Sequence, residues 1–150
     1  MSWCSSSTAS VGAIHPEGLR KHPERVIPVG EIGSSLPDFT VDGLQGHKIS
    51  SADLHGKVVL VDFWATWCQP CKQEMSGYQK LLDRCGPQGF VVVGLKLDTM
   101  MDTEDPLKFA KEIGVRYPLA VATDDLKQKF GGIEGLPTTM LYDRDGILRQ

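Results

Sequence analysis

An α/β fold, a central sheet covered by helices, is predicted by three observations. Two apolar, β-branched runs, Lys57 to Trp64 and Phe90 to Leu95, read as strands, and helix signals alternate with them. The first run is too continuously apolar for a strand with one wet face, which places it at the centre of the sheet. A Cys-x-x-Cys pair, Cys68-Gln-Pro-Cys71, follows that run directly and opens a helical pattern.

Each element can be justified in chain order. Residues 1–35 are rich in Ser, Gly and Pro without periodicity and read as a leader or tether, leaving 36–150 as one domain. Phe39 and Val41 alternate with polar neighbours, and the turn residues Asp42-Gly43 and Gln45-Gly46 lead into Lys48-Ile49-Ser50, a short hairpin. After the cysteine pair, Met75, Tyr78, Leu82 and Cys85 recur at helical spacing until Gly86-Pro87 stops them. Asp105 as N-cap, Pro106 at the first helical position, apolar Phe109, Ala110 and Ile113, and Gly114 as terminator mark a second helix. Leu119 to Val121 reads as a short strand and Thr123 to Phe130 as a helix closed by Gly131-Gly132. Thr138 to Tyr142 reads as a strand turning at Asp143-Arg-Asp-Gly146, and Ile147 to Arg149 begins another. No residues follow to build a closing helix, so the expectation is a domain that is C-terminally incomplete or a sheet with one face partly bare.

Composition narrows the function classes. The chain has 150 residues, 41% of them apolar, enough for one core and too few for two. Sixteen Lys and Arg against 19 Asp and Glu give a net charge of −3 with no basic run, which argues against nucleic acid as partner. The most apolar stretch, Val58 to Trp67, is interrupted by Asp62 and falls well short of the roughly 20 residues of a membrane helix. The first 35 residues lack the regions of a secretory signal.

The chemistry concentrates at Cys68 and Cys71. Two residues between cysteines at a helix start allow a disulfide across the first turn that can open as well as close. Unpaired N–H groups and the positive end of the helix dipole favour the Cys68 thiolate, lowering it from ~8.5 toward neutrality. Cys68 is therefore the expected nucleophile and Cys71, one turn inside, the resolving thiol. Gln69 and Pro70 tune the couple, Pro70 by removing a backbone donor near the sulfurs. A zinc site would need two further ligands, and Cys4, Cys85 and His15, His22, His47 and His55 have no matching spacing. A purely structural disulfide is the other alternative, but so short a loop restrains the unfolded chain least. Asp62, inside the buried strand, is expected to have a raised pKa and to take the proton from Cys71 through water; its alternative is a hydrogen-bonded carboxyl near a strand edge. Trp64 reads as core and Trp67 as an apolar collar for substrate. Glu74 suits the helix dipole, and Cys85, on the apolar stripe, reads as a buried inert thiol.

Val61-Asp-Phe-Trp-Ala-Thr-Trp-Cys-Gln-Pro-Cys71, with Gly135-Leu-Pro-Thr-Thr139 downstream, resembles the thioredoxin superfamily. Leu36-Pro-Asp-Phe-Thr-Val-Asp-Gly43 and the segment from about Asp102 to Ala122 resemble, more closely, the TlpA/ResA-type thiol-disulfide oxidoreductases of the bacterial envelope, within the AhpC/TSA-Redoxin-like domains. The resemblance implies a thioredoxin fold with an N-terminal hairpin and a helix-strand insertion, the final helix missing. It implies a cis Leu136-Pro137 bond facing the disulfide, with Leu136, Pro137 and Thr138 in a substrate groove beside Trp67, Gln69 and Pro70. It further implies a monomer without metal or organic cofactor, oxidised protein substrates such as apocytochrome c, a membrane thiol-disulfide transporter as donor, and a periplasmic location. Cys4-Ser5-Ser-Ser7 resembles the start of a mature lipoprotein, although Met1-Ser-Trp3 is not a lipobox. Peroxiredoxins share the Pro-Asp-Phe-Thr opening, but Val61 and Ala65 stand where their peroxidatic motif needs Pro and Thr or Ser. A non-catalytic binding module with an idle disulfide is the remaining rival.

Overall fold

The computed structural model describes residues 29–150; the expectations for Cys4 and for the leader up to residue 28 lie outside them. Strand β1 (Thr40–Asp42) pairs antiparallel with β2 (Lys48–Ser50) as the expected hairpin. Strand β3 (Val58–Trp64) leads into helix α1 (Gln69–Cys85), then β4 (Phe90–Leu97), helix α2 (Pro106–Ile113), β5 (Leu119–Ala122), helix α3 (Asp124–Lys129) and β6 (Thr138–Tyr142). The main sheet runs β5-β4-β3-β6, with β3, β4 and β5 parallel and β6 antiparallel to β3.

Strand β3 forms because it is β-branched and apolar, and it sits inside the sheet because every one of its residues is buried. Side chains alternate across the pleat. Val58, Leu60 and Trp64 join Met75 of α1 and Phe109 of α2 on one face, whereas Val59, Val61 and Phe63 join Phe39, Leu126 and Phe130 on the other. Asp62 has the parity of the first group, so its carboxyl lies on the α1 face.

The helix ends carry the signals read from the sequence. Asp105 accepts from the Leu107 and Lys108 amides at 2.9 and 3.4 Å, Pro106 opens α2, and Gly114 closes it at φ 82°. Thr123 caps α3 through the Leu126 amide at 3.2 Å. Residues 147–150 return beside β6 after the Asp143–Gly146 turn, with the Leu141 amide donating to Gln150 and the Arg149 amide to Leu141. They make isolated bridges rather than the regular strand expected there. The Gly33 amide donates to Leu148 and the Leu148 amide to Ser34, so pairing with the C-terminal segment begins upstream of Leu36.

Phe130 fixes the hairpin to the sheet, its ring 5.7 Å from Phe39 and 5.4 Å edge-on from Phe63. Phe130→Ala is expected to cost about 3–5 kcal/mol in urea unfolding, the range for emptying a buried aromatic site.

Candidate active site

The turn from β3 to α1 places both cysteines where the sheet's central strand ends. Cys68 is the N-cap of α1, with extended backbone, and its Sγ accepts from the Cys71 amide at 3.3 Å. Pro70 occupies an early helical position, where a missing N–H leaves nothing unpaired. Cys68 and Cys71 are joined as a disulfide, their Cα atoms 5.3 Å apart. Cys68 keeps 5% exposure and Cys71 none, an asymmetry that suits an attacking outer sulfur and a protected inner one. Gln69 and Pro70 are exposed beside them.

The downstream motif arrives at the same end of the sheet. Leu136-Pro137 is cis, as the resemblance implied. Thr138, the first residue of β6, pairs with Phe63 near the end of β3, and its hydroxyl donates to the Gly135 carbonyl at 2.6 Å. Leu136 packs against the core cluster that holds both cysteines, and Pro137 is exposed.

Asp62 lies in an interior strand between Gly94 of β4 and Thr139 of β6 and is fully buried. Neither carboxyl oxygen has a hydrogen-bond partner among the described residues, and the strand is interior rather than at the sheet edge. Burial, reinforced by the Glu74 charge, pushes its pKa up to about 8. Glu74 is in the second turn of α1 rather than the first, where the dipole would favour it, and instead accepts from the Tyr78 hydroxyl at 3.4 Å. That hydroxyl also shares a 3.0 Å hydrogen bond with Thr139, directly across the sheet from Asp62.

Trp64 is core, stacked on Phe109 with ring centroids 5.5 Å apart, whereas Trp67 is 41% exposed. The Trp67 indole donates to Thr99 Oγ1 at 2.8 Å. Thr99 and its neighbours are organised by Asp102, which accepts from the Thr99 amide at 2.7 Å, Lys96 Nζ at 2.8 Å and Thr66 Oγ1 at 3.2 Å. Burial alone would raise the Asp102 carboxyl, but the Lys96 and Thr99 hydrogen bonds and the Lys96 charge outweigh it and hold it below its ordinary value. Sequence reasoning missed this clamp. Its signal was Lys96, a charge inside an apolar strand run, as Asp62 is in β3. Cys85 is buried as expected, but no cysteine among the described residues is a free thiol, which corrects the inert-thiol reading.

Residues 32–150 match the AhpC/TSA family. The chain belongs to it. Within that family it is similar to the thiol-disulfide oxidoreductase ResA of Bacillus thuringiensis (strain Al Hakam), 38% identical over 120 residues that cover 77% of this chain. The match covers 66% of that relative's own length. Among solved structures it is similar to a thiol:disulfide interchange protein of the thioredoxin family from Chlorobium tepidum TLS, with TM-score 0.72 and 30% identity over 80% of this chain and 85% of that one. The thioredoxin domain of a thiol-disulfide oxidoreductase from Bacteroides vulgatus matches with TM-score 0.68 and 28% identity over 79% and 86%. The fold of this AhpC/TSA member is thioredoxin-like, with the cysteine pair at disulfide distance.

The raised Asp62 pKa has a consequence for stability. The native state holds a proton that the unfolded chain releases from pH 3.8 upward, so stability is highest below that pH, falls as the pH approaches about 8, and levels above it. Asp62→Asn is expected to exceed the parent protein in stability near pH 8 by on the order of a few kcal/mol and to match it near pH 4, measured by urea unfolding at both. Removing Asp102 acts in the opposite direction. Asp102→Ala leaves the Lys96 ammonium buried without its close partner and is expected to cost about 3 kcal/mol, with a change in Trp67 fluorescence as the Thr99 hydroxyl is released.

Proposed function

We propose that this protein is a thiol-disulfide oxidoreductase that reduces disulfides in protein substrates. The observation that carries the reading is the Cys68 sulfur serving as N-cap of α1, with the Cys71 amide pointed at it, after a strand that carries a buried carboxyl on its α1 face. The family and its thiol-disulfide relatives support it.

In the reduced protein, the Cys68 thiolate attacks one sulfur of a substrate disulfide, forming a mixed disulfide and releasing the other sulfur as a thiolate that takes a proton from solvent. Asp62, ionised, accepts the Cys71 proton. The Cys71 thiolate then attacks Cys68, the mixed disulfide breaks, and the second substrate thiol leaves. The substrate gains two electrons and the protein is left with the Cys68–Cys71 disulfide, which an external dithiol must reduce. Trp67, Gln69 and Pro70 on one side and Leu136, Pro137 and Thr138 on the other form the groove that holds the substrate chain.

We place the protein in the bacterial envelope, with a membrane thiol-disulfide transporter as donor and apocytochrome c or other envelope proteins as substrates. The chain acts as a monomer and uses no metal or organic cofactor. Among the described residues, no helix is long and apolar enough to cross a membrane.

The test is insulin reduction with dithiothreitol as donor. Cys68→Ser is expected to fall to the uncatalysed rate, and Cys71→Ala to accumulate a mixed disulfide visible on a non-reducing gel. Activity retained in Cys68→Ser would overturn the mechanism. A redox titration separates the idle-disulfide rival: a couple that stays oxidised below about −300 mV behaves as a structural disulfide.

A further inference from the structure

On the α1 face of the sheet, three buried polar side chains lie without a hydrogen-bond partner among the described residues: both oxygens of Asp62, the Trp64 indole Nε1 and the Tyr117 hydroxyl. Native interiors seldom leave such groups unpaired, and here the three are gathered at one place. Gly94 of β4 is the register partner of Asp62. A Cβ built on Gly94 would lie 3.0 Å from Trp64 Nε1 and 3.1 Å from Tyr117 Cε1, and it would collide with a Leu119 methyl. The bare backbone at Gly94 is what lets the indole and the phenol ring close in beside the carboxyl.

Tyr117 is also held from behind. Its carbonyl accepts from Gln45 Nε2 at 3.0 Å, Gln45 Oε1 accepts from the Leu119 amide at 3.1 Å, and the Gly94 amide donates to the Pro118 carbonyl at 2.9 Å. The hairpin loop and β4 thus fix the backbone on both sides of the ring.

We propose that the Tyr117 hydroxyl is a positioning residue for the redox reaction: it donates, through one bridging water, to the ionised Asp62 carboxylate, with the Trp64 indole N–H as second donor. The indole N–H can only donate, and a phenol O–H that donates likewise favours the charged carboxylate. Burial and Glu74 push the other way, and burial, then the Asp62 charge, likewise disfavour the ionised Tyr117 phenol. The remaining groups facing Asp62 are Tyr78 of α1 and Thr139 of β6, already bonded to each other. Tyr117 thereby keeps a fraction of Asp62 ionised at neutral pH, the form that accepts the Cys71 proton. This role rests on the oxidoreductase reading, whereas the contact itself does not.

The experiment is Tyr117→Phe, which removes one oxygen and keeps the ring. The Asp62 carboxyl is titrated by carbon NMR in the oxidised protein, and the resolution of a mixed disulfide is followed against pH in the reduced one. The Asp62 midpoint is expected to rise by about half to one unit, and resolution near pH 7 to slow by about three- to tenfold with its acid limb moved up by the same amount. Urea unfolding supplies a second readout. A paired hydroxyl predicts that Tyr117→Phe loses stability only above the Asp62 midpoint, whereas an unpaired one predicts a gain at every pH. An Asp62 midpoint unmoved in the variant overturns the inference whatever the turnover. A moved midpoint in a parent protein that reduces no disulfide overturns the redox role and confirms the contact.

Discussion

The burial of β3 on both faces is the constraint from which the site follows. With helices over one face and the hairpin and α3 under the other, every residue from Val58 to Trp64 is buried. A carboxyl there must exist without solvation, and a turn leaving the end of that strand must open at the molecule's surface. Asp62 meets the first condition and Cys68 the second, six residues apart in one chain segment. The fold therefore sets a carboxyl that burial makes hard to ionise on the helix-covered face of the strand that leads to the cysteine pair, using nothing but strand parity and a helix start.

The same asymmetry orders the two cysteines. Cys68 keeps 5% exposure with a backbone amide directed at its sulfur, and Cys71, with none, is sealed deeper in the same cluster as Trp64, Met75 and Phe109. In the proposed reaction an inner thiol in such surroundings gives up its proton to a buried neighbour, the role the proposal gives Asp62. The polar groups around Gly94 extend this argument from one residue to a small buried neighbourhood.

Most of the architecture was legible because local signals were redundant. Asp105, Pro106 and Gly114 each point independently to the same helix, and the cysteine pair sits on a strand-to-helix junction flagged by hydropathy alone. The cis bond at Pro137 was legible only through the family motif, since nothing local separates it from an ordinary turn proline. What escaped were contacts between residues distant in sequence: Thr66 with Asp102, Tyr78 with Thr139, and Gln45 with Tyr117. Each needs two elements placed side by side, and no periodicity or spacing encodes that. Lys96 was the exception, a charge in an apolar run that could have prompted a search for its acid. The Ile147–Arg149 strand was overread because its alternation is satisfied by a few bridges to β6 and to residues 33–35.

The hairpin also closes one margin of the sheet. Gly43 bridges to Ala120, and the Leu44 amide donates to the Leu119 carbonyl, so the outer border of β5 meets part of its own chain. At the opposite margin, residues 147–150 lie along β6. A guest polypeptide consequently finds little open ladder on which to add itself as a fifth strand. Under the proposed function, recognition is left to the rim of loops around the sulfurs, where backbone offers few fixed registers and side chains set the terms of contact.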